Sequence, residues 1–434
     1  MSDSNTFSLA YSAETFWGVT PVVAPMKLVR LTKENLEHEK VTEISSEIRS
    51  DRQRLESTEV GVGAKGGFDF ELSVGGQDDF IEAAMFSAFA DVGGVPTITN
   101  GTTRKSFFLE KQTISGAAYQ PFAGMMVDSL TLNLQSRKII TGTVNFMGRR
   151  GYDSASSYAV RRTQTLTFTG QPADTETVTV GAKTYTFQAA LTNVANNVKI
   201  GASTAASIAN LVAAINADTT FSGTGYAAAT TANVDFGAVA GAGTTVVVTE
   251  FTPGGAGTVT TTDTITNATW GGGTAVAAAG YTAASTGLIL TSSVNVGNLL
   301  KDGAAIGGLK NLTVTIANNL RGNDEIGRKD FGEIGVGECA VSGKFDAYFR
   351  TRALFTDFMD HTARSLSFEV SREAPGAVSG DVIGYRVTIP KLRFGKGMPM
   401  APGKNTDIML PMEFDAEIDT VSGKTIKIEK LKKA

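Results

Sequence analysis

The chain repeats itself, in order, across its two ends. The run from Gly61 to Asp69, closing on Gly67-Phe68-Asp69, has a counterpart in Gly335-Val336-Gly337 followed by Gly343-Lys344-Phe345-Asp346. Asp79-Phe80 then answers to Asp357-Phe358, each followed by an apolar residue (Ile81, Met359) and an acid (Glu82, Asp360). Upstream, Glu47-Ile48-Arg49-Ser50-Asp51 parallels Asn319-Leu320-Arg321-Gly322-Asn323. Downstream, Ser106-Phe107-Phe108-Leu109-Glu110 parallels Ser365-Leu366-Ser367-Phe368-Glu369, and Val144-Asn145-Phe146 parallels Met412-Glu413-Phe414. Each match alone is weak. Their preserved order favours duplication of one unit within the 434 residues.

Between the copies the composition changes. Residues 152–286 are poor in charge and rich in Thr, Ala, Gly and Val, and their basic residues are only Arg161, Arg162, Lys183 and Lys199. A shift of this kind in mid-chain reads as a domain inserted into a host fold. The expected division is 1–151, a first unit; 152–286, an insertion; and 287–434, a second unit.

Periodicity makes the host parts β-rich. Val127–Leu134 and Ile140–Phe146 alternate apolar and polar residues on either side of the polar Gln135-Ser136-Arg137-Lys138, a hairpin with one buried face. Asp78–Ala90 spaces Phe80, Ile81, Ala84, Met85 and Ala88 as a helix does, with Asp78 or Asp79 as candidate cap. In the middle block, 166–170, 177–181, 183–187 and 245–249 alternate as strands. Ser203 is placed to cap a helix over Thr204–Asn216 whose Ile208, Leu211, Val212 and Ile215 share one face. The expected class is mainly β: duplicated sandwich or barrel units with short flanking helices, plus a small inserted α+β domain.

No chemistry announces itself. The net charge is −4, from 39 basic and 43 acidic residues, which disfavours tight nucleic-acid binding because that needs clustered Lys and Arg. One cysteine, Cys339, and two histidines, His38 and His361, build no metal cluster without carboxylates, so no metal and no cofactor are expected. Cys339 reads as a small apolar residue in a strand. The glycines at 254–257 and 271–273 lack the Gly-Lys-Ser/Thr ending of a phosphate loop and read as turns. The acid pairs Asp78-Asp79 and Glu37 with Glu39 read as helix-start and surface residues. No catalytic site is expected. The first twenty residues lack the basic head and apolar run of a secretory signal, and no window is apolar enough to span a membrane, so residence in the cytosol is expected.

Two segments look outward. Thr32–Glu59 is too polar for a core and too long for a turn, with interleaved acids and bases. It is either a surface loop or an arm ordered against a neighbouring copy, with Glu47, Arg49, Asp51 and Arg52 as its candidate contact residues. Lys424–Leu431 alternates like an edge strand, which needs a partner from the chain or a neighbour.

Several stretches also carry a family resemblance. Ile44-Ser45-Ser46-Glu47-Ile48-Arg49-Ser50-Asp51-Arg52-Gln53 resembles the "SNEIRSDRQ" stretch of the tail tube proteins of long-tailed phages. Phe107–Lys111, Tyr119–Met125 and Val144–Gly148 are similar to the segments that follow it in that family. Asn318–Gly322, Ile389–Leu392 and Pro402–Leu410 match in the second half. The resemblance covers about 300 residues outside the middle block and its motifs are structural. It implies β-sandwich units joined into stacked rings that form the tube through which DNA is delivered. The implied setting is the virion tail, assembled in the host cytoplasm. The implied partners are further copies of the chain, a tape-measure protein and tail-tip and terminator proteins, with DNA passing through and no membrane. Two units per chain make three chains a pseudo-sixfold ring; without duplication six chains are expected. A polar, acidic bore suits a sliding polyanion, and Asp69, Glu71, Asp128, Asp346 and Asp415 are its candidate residues. Other readings are a host-surface binding role through the middle block, or a bacterial secretion-tube or surface-layer component.

Overall fold

The computed structural model describes residues 4–19, 26–51, 53–114, 117–253, 261–271, 276–277, 280–401 and 403–433. The fold is mainly β, with three α-helices among the described residues. The chain divides into two compact units, one of residues 29–107, 122–151 and 284–434, the other of residues 1–28, 108–121 and 152–283. The unit holding the middle block thus also takes two stretches from the first 151 residues.

In the first of these units twelve strands position the site. They are β1 (Glu37–Ile44), β2 (Ser57–Glu71), β3 (Val95–Thr99), β4 (Ala118–Gln135, from Phe122 onward), β5 (Thr141–Gly148) and β6 (Val296–Lys301). Then come β7 (Leu309–Ala317), β8 (Ala340–Tyr348), β9 (Arg364–Ser371), β10 (Val382–Gly397), β11 (Met409–Ala416) and β12 (Lys427–Lys432). Antiparallel ladders run β1 to β2, β2 to β5, β5 to β4, β4 to β7, β7 to β8, β8 to β11 and β11 to β10. β10 also pairs with β9 and β12, β9 with β6, and β12 with β3. The C-terminal strand therefore finds its partners inside the chain, with β10 on one side and β3 on the other.

The expected hairpin forms as β4 and β5, with Thr131 opposite Thr143 and Leu132 opposite Gly142. Alternation then decides what is buried. Phe68, Phe70, Leu130, Leu132, Val144 and Phe146 face the core, as do Leu312, Val314, Ile316, Phe345, Met412 and Phe414. The helix Asp78–Met85 lays Phe80 against Phe68 with ring centroids 5.1 Å apart. It is shorter than the spacing suggested, because Phe86 turns left-handed (φ 47°) and ends it. Neither aspartate caps it. Gln77 takes the cap position without a side-chain cap bond, and its amide oxygen accepts from the Ser73 N–H instead (3.1 Å). Asp78 is used elsewhere, accepting from the Tyr385 hydroxyl (2.6 Å) and Lys430 (2.6 Å).

The sequence matches at the two ends obey one strand register. Phe68 of β2 lies opposite Val144 of β5, and Phe345 of β8 lies opposite Met412 of β11. Gly66 faces Phe146 as Gly343 faces Phe414. A β-bulge falls at Asp128, between Val127 and Ser129, and another at Gly395, between Phe394 and Lys396. Val127 lies opposite Phe146 and Phe394 opposite Phe414, so the two bulges stand at matching places.

The second unit holds its own core. One sheet runs Asn197–Lys199, Lys183–Gln188, Thr177–Val180, Thr261–Asp263, and the other runs Phe236–Ala240, Thr245–Glu250, Arg162–Phe168, Ala268–Trp270. The helix Thr204–Asn216 begins where Ser203 Oγ accepts from the Ala206 N–H (3.2 Å). Its Ile208, Leu211 and Ile215 pack with Leu166, Phe168, Tyr185, Phe187, Val246 and Val248. Glu110, 1% exposed, accepts from Ser157 Oγ (2.7 Å), the Tyr281 hydroxyl (2.7 Å) and the Tyr158 N–H (2.6 Å). Nearby Arg161 is buried, and desolvation lowers its pKa to about 10 despite the Glu110 charge. The glycines 254–257 and most of 271–273 lie outside the described residues.

Candidate functional site

The face opposite the aromatic core is a continuous polar surface across β2, β5, β4, β7, β8 and β11. It arises because most of the residues that alternate with the buried ones are polar, among them Asp69, Thr143, Asn145, Thr131, Asn133, Thr313, Thr315, Lys344 and Asp346. Thr143 Oγ1 donates to Asp69 Oδ1 (2.6 Å), and Asn145 Nδ2 to Ser129 Oγ (3.1 Å). Thr131 and Thr315 share a hydroxyl hydrogen bond (3.0 Å), Thr313 Oγ1 donates to Asn133 Oδ1 (3.0 Å), and Asn311 Nδ2 donates to Asp346 Oδ2 (2.6 Å). The cross-strand pairs satisfy one another, as polar side chains on a half-buried face must.

Four of the five acids named from sequence fall on this face by strand alternation. Asp69 and Glu71 lie on β2, Asp346 on β8 and Asp415 on β11, out of phase with the buried Phe68, Phe70, Phe345 and Phe414. Asp128 is different. It occupies the β4 bulge, and its Oδ1 accepts from the Leu320 N–H (2.9 Å), which ties down the loop after β7.

The joint between β4 and β7 connects segments far apart in sequence. Seven residue pairs, from Gln135 opposite Asn311 to Ser129 opposite Ala317, lie across it. Sequence reading did not anticipate this pairing, since a strand shows what it buries and not which neighbour it meets.

The polar segment Thr32–Glu59 is a β-hairpin. β1 ladders onto β2 from Glu37 opposite Lys65 to Ile44 opposite Ser57. Lys65 pairs with Glu39 (2.7 Å) and Glu37 (3.5 Å), and Lys40 with Glu59 (3.3 Å). At its tip Arg49 and Asp51 bind each other (2.5 Å), the Glu47 N–H donates to Ser45 Oγ (3.3 Å), and Arg52 lies outside the described residues. The Asp51 carboxyl is held below its usual range by Arg49. Ile48 is fully exposed at this tip. The segment after β7 forms a smaller hairpin, Arg321–Asn323 against Glu333–Gly335, whose loop carries the fully exposed Ile326. Arg321 faces Gly335 as Glu43 faces Thr58, and on this register Glu47-Ile48 corresponds to Glu325-Ile326 rather than to the Asn319-Leu320 of the sequence parallel. The Glu-Ile pair was the signal, masked by an Arg that aligns equally well one way.

Among the described residues no group of three His, Cys, Asp or Glu side chains is arranged to hold a metal ion. His38 Nδ1 accepts from the Gly151 N–H (3.1 Å). Cys339 sits just before β8, half-buried, and burial pushes its thiol pKa up. No described helix is long and apolar enough to cross a membrane.

No curated protein matches the chain. A family model does, twice, over residues 4–269 and 163–416, and its description is phage tail tube protein. The two matches overlap in the middle block and together span nearly the whole sequence. With its mainly β architecture, the chain belongs to the phage tail tube protein family.

Proposed function

We propose that this chain assembles into stacked rings forming the tube of a phage tail, the conduit for genome delivery, and that it does so as a structural protein without catalysis. The observation that carries this reading is the β4–β7 joint. It fuses the two matching sets of strands into one sheet with an apolar side and a polar side. A curved sheet with such sides closes into a barrel when further copies supply the missing borders. Two units per chain make three chains a pseudo-sixfold ring. The double family match and the shared strand register support that count over six.

In this reading residues 1–151 and 287–434 supply the two tube units, and residues 152–286 are a decoration. The polar face lines the bore, and Asp69, Glu71, Asp346 and Asp415 give it a negative sign that keeps DNA from adhering. Lys344 and Lys396 on the same region temper that sign, and Asp128 contributes through the loop it anchors. The hairpin tip with Glu47, Arg49, Asp51 and Arg52 is the arm that touches a neighbouring copy, with Ile48 as its apolar contact. Tape-measure, tail-tip and terminator proteins are the expected tail partners, and assembly takes place in the host cytoplasm.

Electron microscopy of the purified full chain tests the reading. Hollow tubes or rings whose averages show threefold symmetry with six similar lobes are expected. Persistent monomers at high concentration, or rings of six chains, would each remove part of it.

A further inference from the structure

The internal joint is a template for a second one. We infer that the edge Lys396–Ala401 of one chain ladders antiparallel onto Asn35–Glu39 of a second copy, in the register Lys396 opposite Glu39, Met398 opposite Glu37, Met400 opposite Asn35. This rests on the ring reading above and specifies which borders meet and how.

Residue equivalence fixes the register. At the internal joint Ser129 of β4 lies opposite Ala317 of β7, Thr131 opposite Thr315, and Asn133 opposite Thr313. Lys396 takes the place of Ser129, because each is the first residue past the matching bulge and faces Glu413 or Asn145. Met400 takes the place of Asn133, since Met400 faces Met409 as Asn133 faces Thr141. On the other side, Lys33 faces Asp69 as Asn311 faces Asp346, and Glu37 faces Lys65 as Thr315 faces Ser342. Glu39 faces Gly63 as Ala317 faces Ala340. Placing the equivalents in the register of the internal joint leaves a single alignment.

Both borders are open among the described residues. β1 ladders only onto β2, and β10 beyond Leu392 ladders only onto β11. Met398 and Met400 are 58% and 57% exposed, whereas the matching β4 residues Thr131 and Asn133, laddered onto β7, are half-buried. An exposed apolar strand border is a template for another chain. The charges agree with the register, since Lys396, which also pairs with Glu413 (3.1 Å), meets Glu39, which also pairs with Lys65 (2.7 Å), and Met398 meets the aliphatic stem of Glu37. One position is built to do without a ladder bond. Pro399 has no N–H, and it falls opposite Leu36, whose own N–H is already given to Glu34 Oε2 (2.9 Å). The joint between chains is thereby weaker than the one within.

A second feature distinguishes the latter set of strands from the earlier one. In the earlier set, Leu290 is fully buried and bridges Leu72 and Ile140 through backbone hydrogen bonds (2.9 and 3.0 Å). The matching place, marked by the Phe349 N–H donating to the Ile408 carbonyl (2.9 Å), holds a cavity of about 330 Å³ lined by Lys301, Phe349, Thr351, Leu354 and Leu410.

Disulfide trapping tests the register in the full chain with Cys339→Ser as background. Chains carrying Glu37→Cys are mixed with chains carrying Met398→Cys, a pair that reproduces the Thr131–Thr315 contact. Rapid covalent dimers are expected in the mixture and not in either chain alone. The pair Val41→Cys with Met398→Cys, displaced by four residues, is the control and should link at least tenfold more slowly. Equal rates, or links within a single-variant sample, overturn the register. Microscopy of the same samples separates the two ideas: rings without the link sink this joint alone, whereas no rings and no link sink the ring reading too. Independently, Lys396→Glu should raise the concentration needed for assembly about tenfold, and adding Glu39→Lys should restore it; failure of that rescue also counts against the joint.

Discussion

Phe68 and Phe146 lie on paired strands with ring centroids 6.0 Å apart and planes inclined at 33°. Phe345 and Phe414 repeat the arrangement at 6.4 Å and 42°. Both pairs are buried. Removing one ring leaves a cavity that a close-packed interior cannot refill. Phe68→Ala and Phe345→Ala should each cost about 3–5 kcal/mol of stability. Denaturant titration of the unassembled chain checks this, and a loss below about 1 kcal/mol at either site would contradict the packing described.

Asp330 is bound by Arg149 (2.6 Å) and Arg328 (3.2 Å) with its side chain 11% exposed. Burial alone would raise its pKa, but the two guanidiniums outweigh that and hold it below the usual carboxylate range. A carboxyl depressed on folding stabilises the fold above its unfolded pKa, and this contribution is lost as pH falls through the folded value. Asp330→Asn should therefore cost about 2 kcal/mol at neutral pH, an order-of-magnitude figure for a half-buried charged pair. The difference from the parent should shrink below about pH 4. Thermal melts of both proteins across pH 2–7, an approximate span around that carboxylate range, provide the measurement.

The thiol of Cys339 is pushed up by burial. Since the thiolate is the reactive species, alkylation at about pH 8 should be at least tenfold slower than for a small free thiol. Unfolding in denaturant should remove the difference. Mass spectrometry of timed iodoacetamide reactions reads both rates.

Arg162 lies opposite Ala277 and Thr163 opposite Val276 in an antiparallel ladder. Backbones so paired are about 5 Å apart. Excising residues 164–275 and joining the ends with Asn-Gly should leave a folded chain that still assembles. Cutting at 155 and 283 should do worse, because it removes Ser157 and Tyr281 and strands the buried Glu110 carboxylate. Comparing soluble yield and tube formation of the two deletions decides the point.

Legibility followed burial. The hairpin of β4 and β5 showed in the sequence because Leu130, Leu132, Val144 and Phe146 alternate with polar neighbours. The helix Thr204–Asn216 showed because its cap and its apolar stripe agree. β1 did not, since nearly all its residues are exposed and no apolar alternation marks a strand open to solvent on both faces. The cap of the helix Asp78–Met85 was misassigned because Asp78 is claimed by Tyr385 and Lys430, which are distant in sequence. Of the candidate bore acids, alternation alone placed Asp69, Glu71, Asp346 and Asp415 on one face. Asp128 escaped because a bulge adds a residue and breaks the count.

Thr131 and Thr315 touch across 184 residues of chain. The entropic cost of closing a disordered loop grows only slowly with its length, but distant pairings slow folding. The intervening block has a core of its own and begins and ends on neighbouring backbone positions, Arg162 and Ala277. Once folded, it shortens the effective tether between the partner strands to about 70 residues. Order of events then matters: a nascent chain that completes the block first brings its two flanks into reach of each other, and a mutation that delays the block should slow the joining of the flanks without touching a single residue in them.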